Sequence, residues 1–79
     1  MKERAYFDFS QIPEPVQKAC MRRVDHATGD RLISFVGCPF TGREVDGDQI
    51  EMPFPRNVGL RETLIDWLVY WGIPFRVLP

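Results

Sequence analysis

At the centre of REVDGDQIEM (43–52) stands the dipeptide Asp46-Gly47, with a short alternating arm on each side. A type I′ turn needs positive φ at both central positions, and Asp-Gly is one of the few pairs that supply it. The dipeptide therefore commits the middle of the chain to a β-hairpin. Pro53 and Pro55 close this segment; proline donates no ladder hydrogen bond, so no central strand runs on through them.

Punctuation on either side divides the rest. RAYFDF (4–9) alternates, with Ala5, Phe7 and Phe9 on one side and Tyr6 and Asp8 on the other, the pattern of a strand with one buried face. Ser10 is a candidate cap, and Pro13 and Pro15 suit only the start of a helix. Val16, Cys20, Val24 and Ala27 then recur at helical spacing, which predicts a first helix over 14–28, ended by Thr28-Gly29-Asp30. RLISFVG (31–37) is apolar enough for a central strand. Asn57 can cap a second helix over 58–71, which Gly72 and Pro74 stop. PFRVL (74–78) supplies a last short strand.

The expected order is β-α-β-β-α-β in one α+β domain, residues 1–79. This is the ferredoxin-like arrangement or a close variant, with two helices on one face of an antiparallel sheet. A further hairpin arm fits near 41–45, and an open meander with both helices on one side is the alternative topology.

Seventy-nine residues allow one domain. A chain of that length buries roughly 60–65% of its unfolded surface, which leaves a thin margin of stability. With 44% hydrophobic and 27% charged residues the chain is globular rather than disordered. A net charge of −1 gives no global attraction to nucleic acid or an anionic membrane. Cys20 and Cys38 are too few for a disulfide scaffold and read as reduced thiols. MKERAYFDF lacks the apolar core of a signal peptide, and no run approaches the ~20 apolar residues that span a bilayer. The expectation is a cytoplasmic protein with no membrane association.

Little in the chain advertises chemistry. Gly37 and Gly42 in RLISFVGCPFTGRE (31–44) have P-loop spacing and follow a strand. Arg43, however, stands in place of the lysine, Glu44 in place of the magnesium-holding hydroxyl, and a hairpin rather than a helix follows. A phosphatase-like loop needs its arginine six residues after the cysteine, and Cys38 and Arg43 are five apart. The segment reads as a turn in which Pro39 fixes φ, Gly42 permits the reversal and Cys38 is a small buried hydrophobe. A zinc site wants four clustered ligands, and this chain has two cysteines and one histidine, His26. Gly47 and Glu51 are misplaced for a calcium loop of EF-hand type. No nucleophile elbow is present to work with His26. The chain is expected to be no enzyme and to hold neither metal nor cofactor.

Three surfaces are candidates for binding a partner. On the predicted first helix Lys18, Arg22 and His26 fall at i, i+4 and i+8, flanked by Arg23, as one basic stripe. The hairpin carries Glu44, Asp46, Asp48 and Glu51 with no base between them. Such segregation suits the steering and orientation of a protein partner. On the second helix Leu60, Leu64, Trp67, Leu68 and Trp71 form a sufficient core stripe. Ile65 and Val69 widen the apolar arc to about 200°, where a helix lying on one sheet buries somewhat over ~100°. That excess points to an interface with a partner or with a second copy, a homodimer through the second helix.

The expected function is therefore a non-catalytic protein-binding module that occupies a surface of a larger partner. The profile of one compact domain, charged faces and no cofactor motif is similar to that of small stand-alone inhibitors and adaptors of phages and other mobile elements, anti-CRISPR proteins among them. The alternatives are a small RNA- or DNA-binding domain using the basic first helix, or an accessory subunit of an enzyme. Nucleic acid is disfavoured as a partner: three or four charges are a weak phosphate footprint, and the aromatic-plus-basic signature of RRM domains is absent.

Overall fold

In the computed structural model, which describes residues 2–79, Asp46 and Gly47 take φ values of 42° and 73° at the tip of a hairpin. Its loop holds one residue more than a two-residue turn, because Val45 pairs with Gln49. The extra residue, Asp48, accepts the backbone N–H of Phe9 at 2.7 Å. Strand side chains alternate between faces, so a one-residue change of register exchanges them. A two-residue loop would set Arg43 opposite Ile50; the longer loop sets it opposite Glu51.

The elements in chain order are β1 (Arg4–Asp8), a 3-10 turn (Phe9–Gln11), α1 (Glu14–Lys18), β2 (Met21–Val24), β3 (Arg31–Ser34), β4 (Gly42–Val45), β5 (Gln49–Pro53), α2 (Val58–Tyr70) and β6 (Arg76–Leu78). The strands make one six-stranded sheet in the order β2-β3-β4-β5-β1-β6, with every neighbouring pair antiparallel. β2 to β5 form a meander. β5 and β6 are each antiparallel to β1, which lies between them, so β5-α2-β6 is a split β-α-β unit. The chain is thus α+β, one sheet and one main helix, in a plate of 31 × 31 × 19 Å.

The strand order is not the ferredoxin-like one, and the first of the two expected helices is reduced to the five residues of α1, which leaves one main helix. The ferredoxin-like arrangement needs a second split β-α-β unit, in which a single strand separates the two parallel strands that flank the first helix. Here β1 and β2 flank α1 and run parallel, but three strands, β5, β4 and β3, lie between them. The helix expected over 14–28 stops at Lys18, and Ala19 leaves it with ψ near 0°. Residues 21–24 become a strand instead, paired with β3 from Met21↔Ser34 to Val24↔Arg31. That ladder satisfies backbone groups of β3 that would otherwise lie along a sheet edge. Of the helical stripe, Val16 alone is buried; Cys20 is half-buried, Val24 is 51% exposed and Ala27 is exposed. Gly29 serves the β2–β3 turn, with φ of 78° and its N–H on the Asp25 carbonyl at 2.7 Å.

Gly42 also has a different role from the reversal expected of it. It lies inside β4, and a Cβ there would sit 2.9 Å from both Ile50 Cγ2 and Met52 Cε. The positive φ in that loop belongs to Gly37, at 77°. Gly42 is a place of close approach, where β4 crosses under two fully buried side chains.

The core lies between one face of the sheet and α2. Ala5 and Phe7 of β1, Ile33 of β3, and Ile50 and Met52 of β5 meet Leu64, Trp67 and Leu68 of α2, all buried. Ile12 and Val16 close the side below the 3-10 turn. Asn57 caps α2 as its position predicts, its Oδ1 accepting from the Leu60 N–H at 3.0 Å. Leu60 itself, expected in the core, stands in the first turn and is 45% exposed.

Candidate functional site

Among the described residues no helix covers the second face of the sheet; α1 and α2 both contribute to the core on the first. The cross-strand register places Arg23, Leu32, Arg43, Glu51, Tyr6 and Arg76 in one row across all six strands. Glu51 is the centre of this row, with only 15% of its side chain exposed. Its Oε1 accepts from Arg43 Nη2 at 2.8 Å and Arg43 Nε at 3.1 Å, and its Oε2 accepts from the Tyr6 hydroxyl at 2.7 Å. Arg76 continues the row, its guanidinium 5.6 Å from the Tyr6 ring centroid, and donates to Gln49 Oε1 at 2.6 Å. Both oxygens of Glu51 are thereby engaged. The group ties β4, β5 and β1 in register and leaves no free carboxylate.

The hydrogen bond to Glu51 pushes the Tyr6 hydroxyl above its ordinary phenol value, with burial adding to the effect. Above about pH 10 the unfolded chain gives up this proton while the folded chain still holds it. The stability that Tyr6 contributes is therefore full below that pH and lost as pH rises through the folded value. Urea melts between pH 7 and 11 should show Tyr6→Phe losing less stability on alkalinisation than the native chain. Equal alkaline slopes would contradict the assignment.

The basic residues expected on one helix are dispersed, because that helix ends early. Lys18 closes α1 and pairs with Glu14 at 2.9 Å, an exposed i,i+4 contact that adds little. His26 is exposed in the β2–β3 turn. Arg22 and Arg23, adjacent on β2, point to opposite faces of the sheet. Arg22 lies on the helix side, its guanidinium 4.7 Å from the Phe9 ring centroid and its Nε 3.1 Å from Glu44 Oε1. Arg23 lies on the open side and has no ion-pair partner among the described residues.

The acidic hairpin divides in the same way. Asp46 and Asp48 are exposed at the tip. Glu44 and Glu51 lie on opposite faces, each side chain 15% exposed and each held by an arginine. The Arg22–Glu44 pair joins the basic segment to the acidic one, so the two are not separate charged faces. From the sequence, Arg43 is weighed only against phosphate-binding loops, and no partner is assigned to Tyr6, Gln49 or Arg76. The position of Arg43 one residue before the acidic run was the available signal.

On α2, Val69 is 67% exposed and Ile65 is half-buried against the core. Val58 and Tyr70 are also exposed, and Tyr70 stands edge-on to Trp71 with ring centroids 5.0 Å apart. Beside the N-terminal end of α2 a cleft of about 430 Å³ is lined by Lys2, Arg4, Arg56 and the segment Pro53-Phe54-Pro55. Glu3, the acid in its wall, is tied to Arg61 at 2.7 Å, and Arg61 stacks on Phe54.

Cys20 and Cys38 are both free and half-buried. Burial pushes the Cys38 thiol up, which makes it a weaker nucleophile at neutral pH. Among the described residues no group of three His, Cys, Asp or Glu could hold a metal ion, and no helix is long and apolar enough to cross a membrane. No protein-family model, no curated protein and no solved structure matches the chain.

Proposed function

We propose that the chain is a non-catalytic protein-binding module that acts by occupying a surface of a larger partner, in the manner of the small inhibitors and adaptors of phages and mobile elements, anti-CRISPR proteins included. The cytoplasm is the proposed place of action, where Cys20 and Cys38 stay reduced. The observation that supports this reading is the distribution of exposed apolar side chains. Among the described residues eight large ones are exposed, of which Val58, Leu60, Val69 and Tyr70 are on α2 and Met21 and Val24 on β2. Apolar area gathered on two elements gains free energy when a partner removes it from water.

The experiment is quantitative capture from the native host on the immobilised chain and on Val69→Asp, with sedimentation of each. A charge placed in an apolar interface loses its water without gaining a partner, which costs several kcal/mol. Capture of a defined protein should fall about tenfold or more in the variant. A partner retained equally by both would remove α2 from the interface. Self-association lost in Val69→Asp would identify a second copy of the chain as the occupant.

A further inference from the structure

We propose that β2 is a docking edge that takes an extended acidic segment of the partner protein as a seventh strand of the sheet. The inference rests on the reading of the chain as a protein-binding module and names the chemistry of what it binds.

β2 ends the sheet, and its pairing is with β3 alone. The N–H and C=O groups along its outer side are therefore open to another strand, the means by which β-augmentation supplies affinity. All four of its residues are exposed, with Met21 at 75% and Val24 at 51%. Neither α1 nor α2 covers them. The other edge, β6, is guarded by comparison. It is three residues long, follows Pro74 and ends at Leu78 before Pro79, and its Arg76 is held by Gln49 and Tyr6.

An open edge risks pairing with its own copy, and the sequence MRRV works against that. Antiparallel pairing about a two-fold axis keeps each copy's helix side on the same side of the joint sheet, so a residue must face one of the same orientation. The central pair is then Arg22 with Arg22 of the other copy, or Arg23 with Arg23. Either register sets like charges directly opposite, which destabilises the pair.

The same arginines favour an acidic strand. Glu44 is occupied by Arg22, and Asp30 lies 3.5 Å from Arg43. Arg23 and Arg31 have no ion-pair partner among the described residues. Residues 20–34 carry Arg22, Arg23 and Arg31 against Asp25 and Asp30, an excess of one positive charge in a chain whose net charge is −1. A cleft of about 220 Å³ lined by Met21, Arg22, Arg23 and Ser34 lies beside the strand and would receive a partner side chain. Main-chain bonds would hold the added strand, and Arg23, on the open face, would select carboxylates at alternate positions, which share that face.

The test is a titration of the isotope-labelled full chain with a ten-residue peptide alternating Glu and Val. Its controls are the Lys/Val peptide and a single-stranded oligonucleotide. Shift changes and slowed hydrogen exchange should centre on the amides of residues 21–24, with affinity about fivefold weaker in Arg23→Glu and no binding of the Lys/Val peptide. A denaturant melt of Arg23→Glu accompanies this, because the exposed site should leave the fold intact. Changes centred on α2 or on the open sheet face, or affinity unaltered by Arg23→Glu, would overturn the proposal. Tighter and salt-sensitive binding of the oligonucleotide at the same amides would assign the arginines to phosphates instead. Host-partner capture that Val69→Asp abolishes and Arg23→Glu leaves whole would keep the module and discard the edge.

Discussion

Trp67→Ala should cost about 3–5 kcal/mol of folding stability. A domain of this length holds on the order of 4–12 kcal/mol of net stability, so that loss takes a large part of it. Trp67 is 7% exposed. Its indole packs against Phe35 and Phe7 with ring centroids 5.5 and 6.4 Å apart, both tilted. These contacts join α2 to β1 and to the segment after β3. The indole N–H donates to the Val36 carbonyl at 3.0 Å, which fixes the loop carrying Gly37. Alanine removes the ring, both aromatic contacts and the bond together, and leaves a cavity where the helix meets the sheet. Trp67→Phe keeps most of the volume and loses the bond, so its cost should be about 1–2 kcal/mol. Urea melts of the two variants check this. A loss below about 1 kcal/mol for Trp67→Ala would mean that the sheet and the loop hold without the indole.

The parts of the fold legible in the sequence are those whose cause is local. Asp46-Gly47 announces its hairpin because few other pairs take two positive φ values in succession. Asn57, Gly72 and Pro74 bound α2 because a cap, a stop and a missing donor act within one turn of the residue that supplies them. Ala5 and Phe7 show the buried side of β1 by alternation alone.

The misread segment, 14–28, has a cause outside itself. Val16, Cys20 and Val24 do repeat at helical spacing, but residues 21–24 are drawn into the sheet by β3, which gains a neighbour along its whole length. Being exposed on both faces, MRRV carries no alternation by which a strand could be recognised. Pairing at a distance prevailed over local periodicity.

The candidate surfaces follow the same division. Val69 was visible as an excess over what one helix can bury. The ladder through Arg43, Glu51 and Tyr6 was not, because it depends on a hairpin one residue longer than the turn dipeptide suggests. With the shorter loop, Arg43 would have faced the core side opposite Ile50, and four acids in eight residues would have remained a solvated tip. Charge patterns along a strand gain meaning only once register is known.

Leu64→Ala should lower stability by about 2–5 kcal/mol, while Val69→Asp, five residues further along the same helix, should lower it by only about 1 kcal/mol. Leu64 is fully buried among the core side chains of the sheet, and Val69 is 67% exposed. Truncating Leu64 removes most of a buried side chain and opens a void that a two-layer plate has little means to collapse around, since the sheet backbone is held by its ladders. Placing a carboxylate at Val69 in the free chain leaves it in water, where it needs no partner. It does lie near the C-terminal end of α2, where the helix dipole disfavours a negative charge by about 0.3–1 kcal/mol. The two variants thus separate what α2 does inward from what it does outward. Circular dichroism melts in urea give the first quantity and capture of the partner the second. If Val69→Asp unfolds the chain as Leu64→Ala does, the outer flank of α2 is bearing structure, and its apolar side chains cannot be assigned to an interface. If it melts like the native chain and still loses its partner, the free energy of those side chains is spent on association.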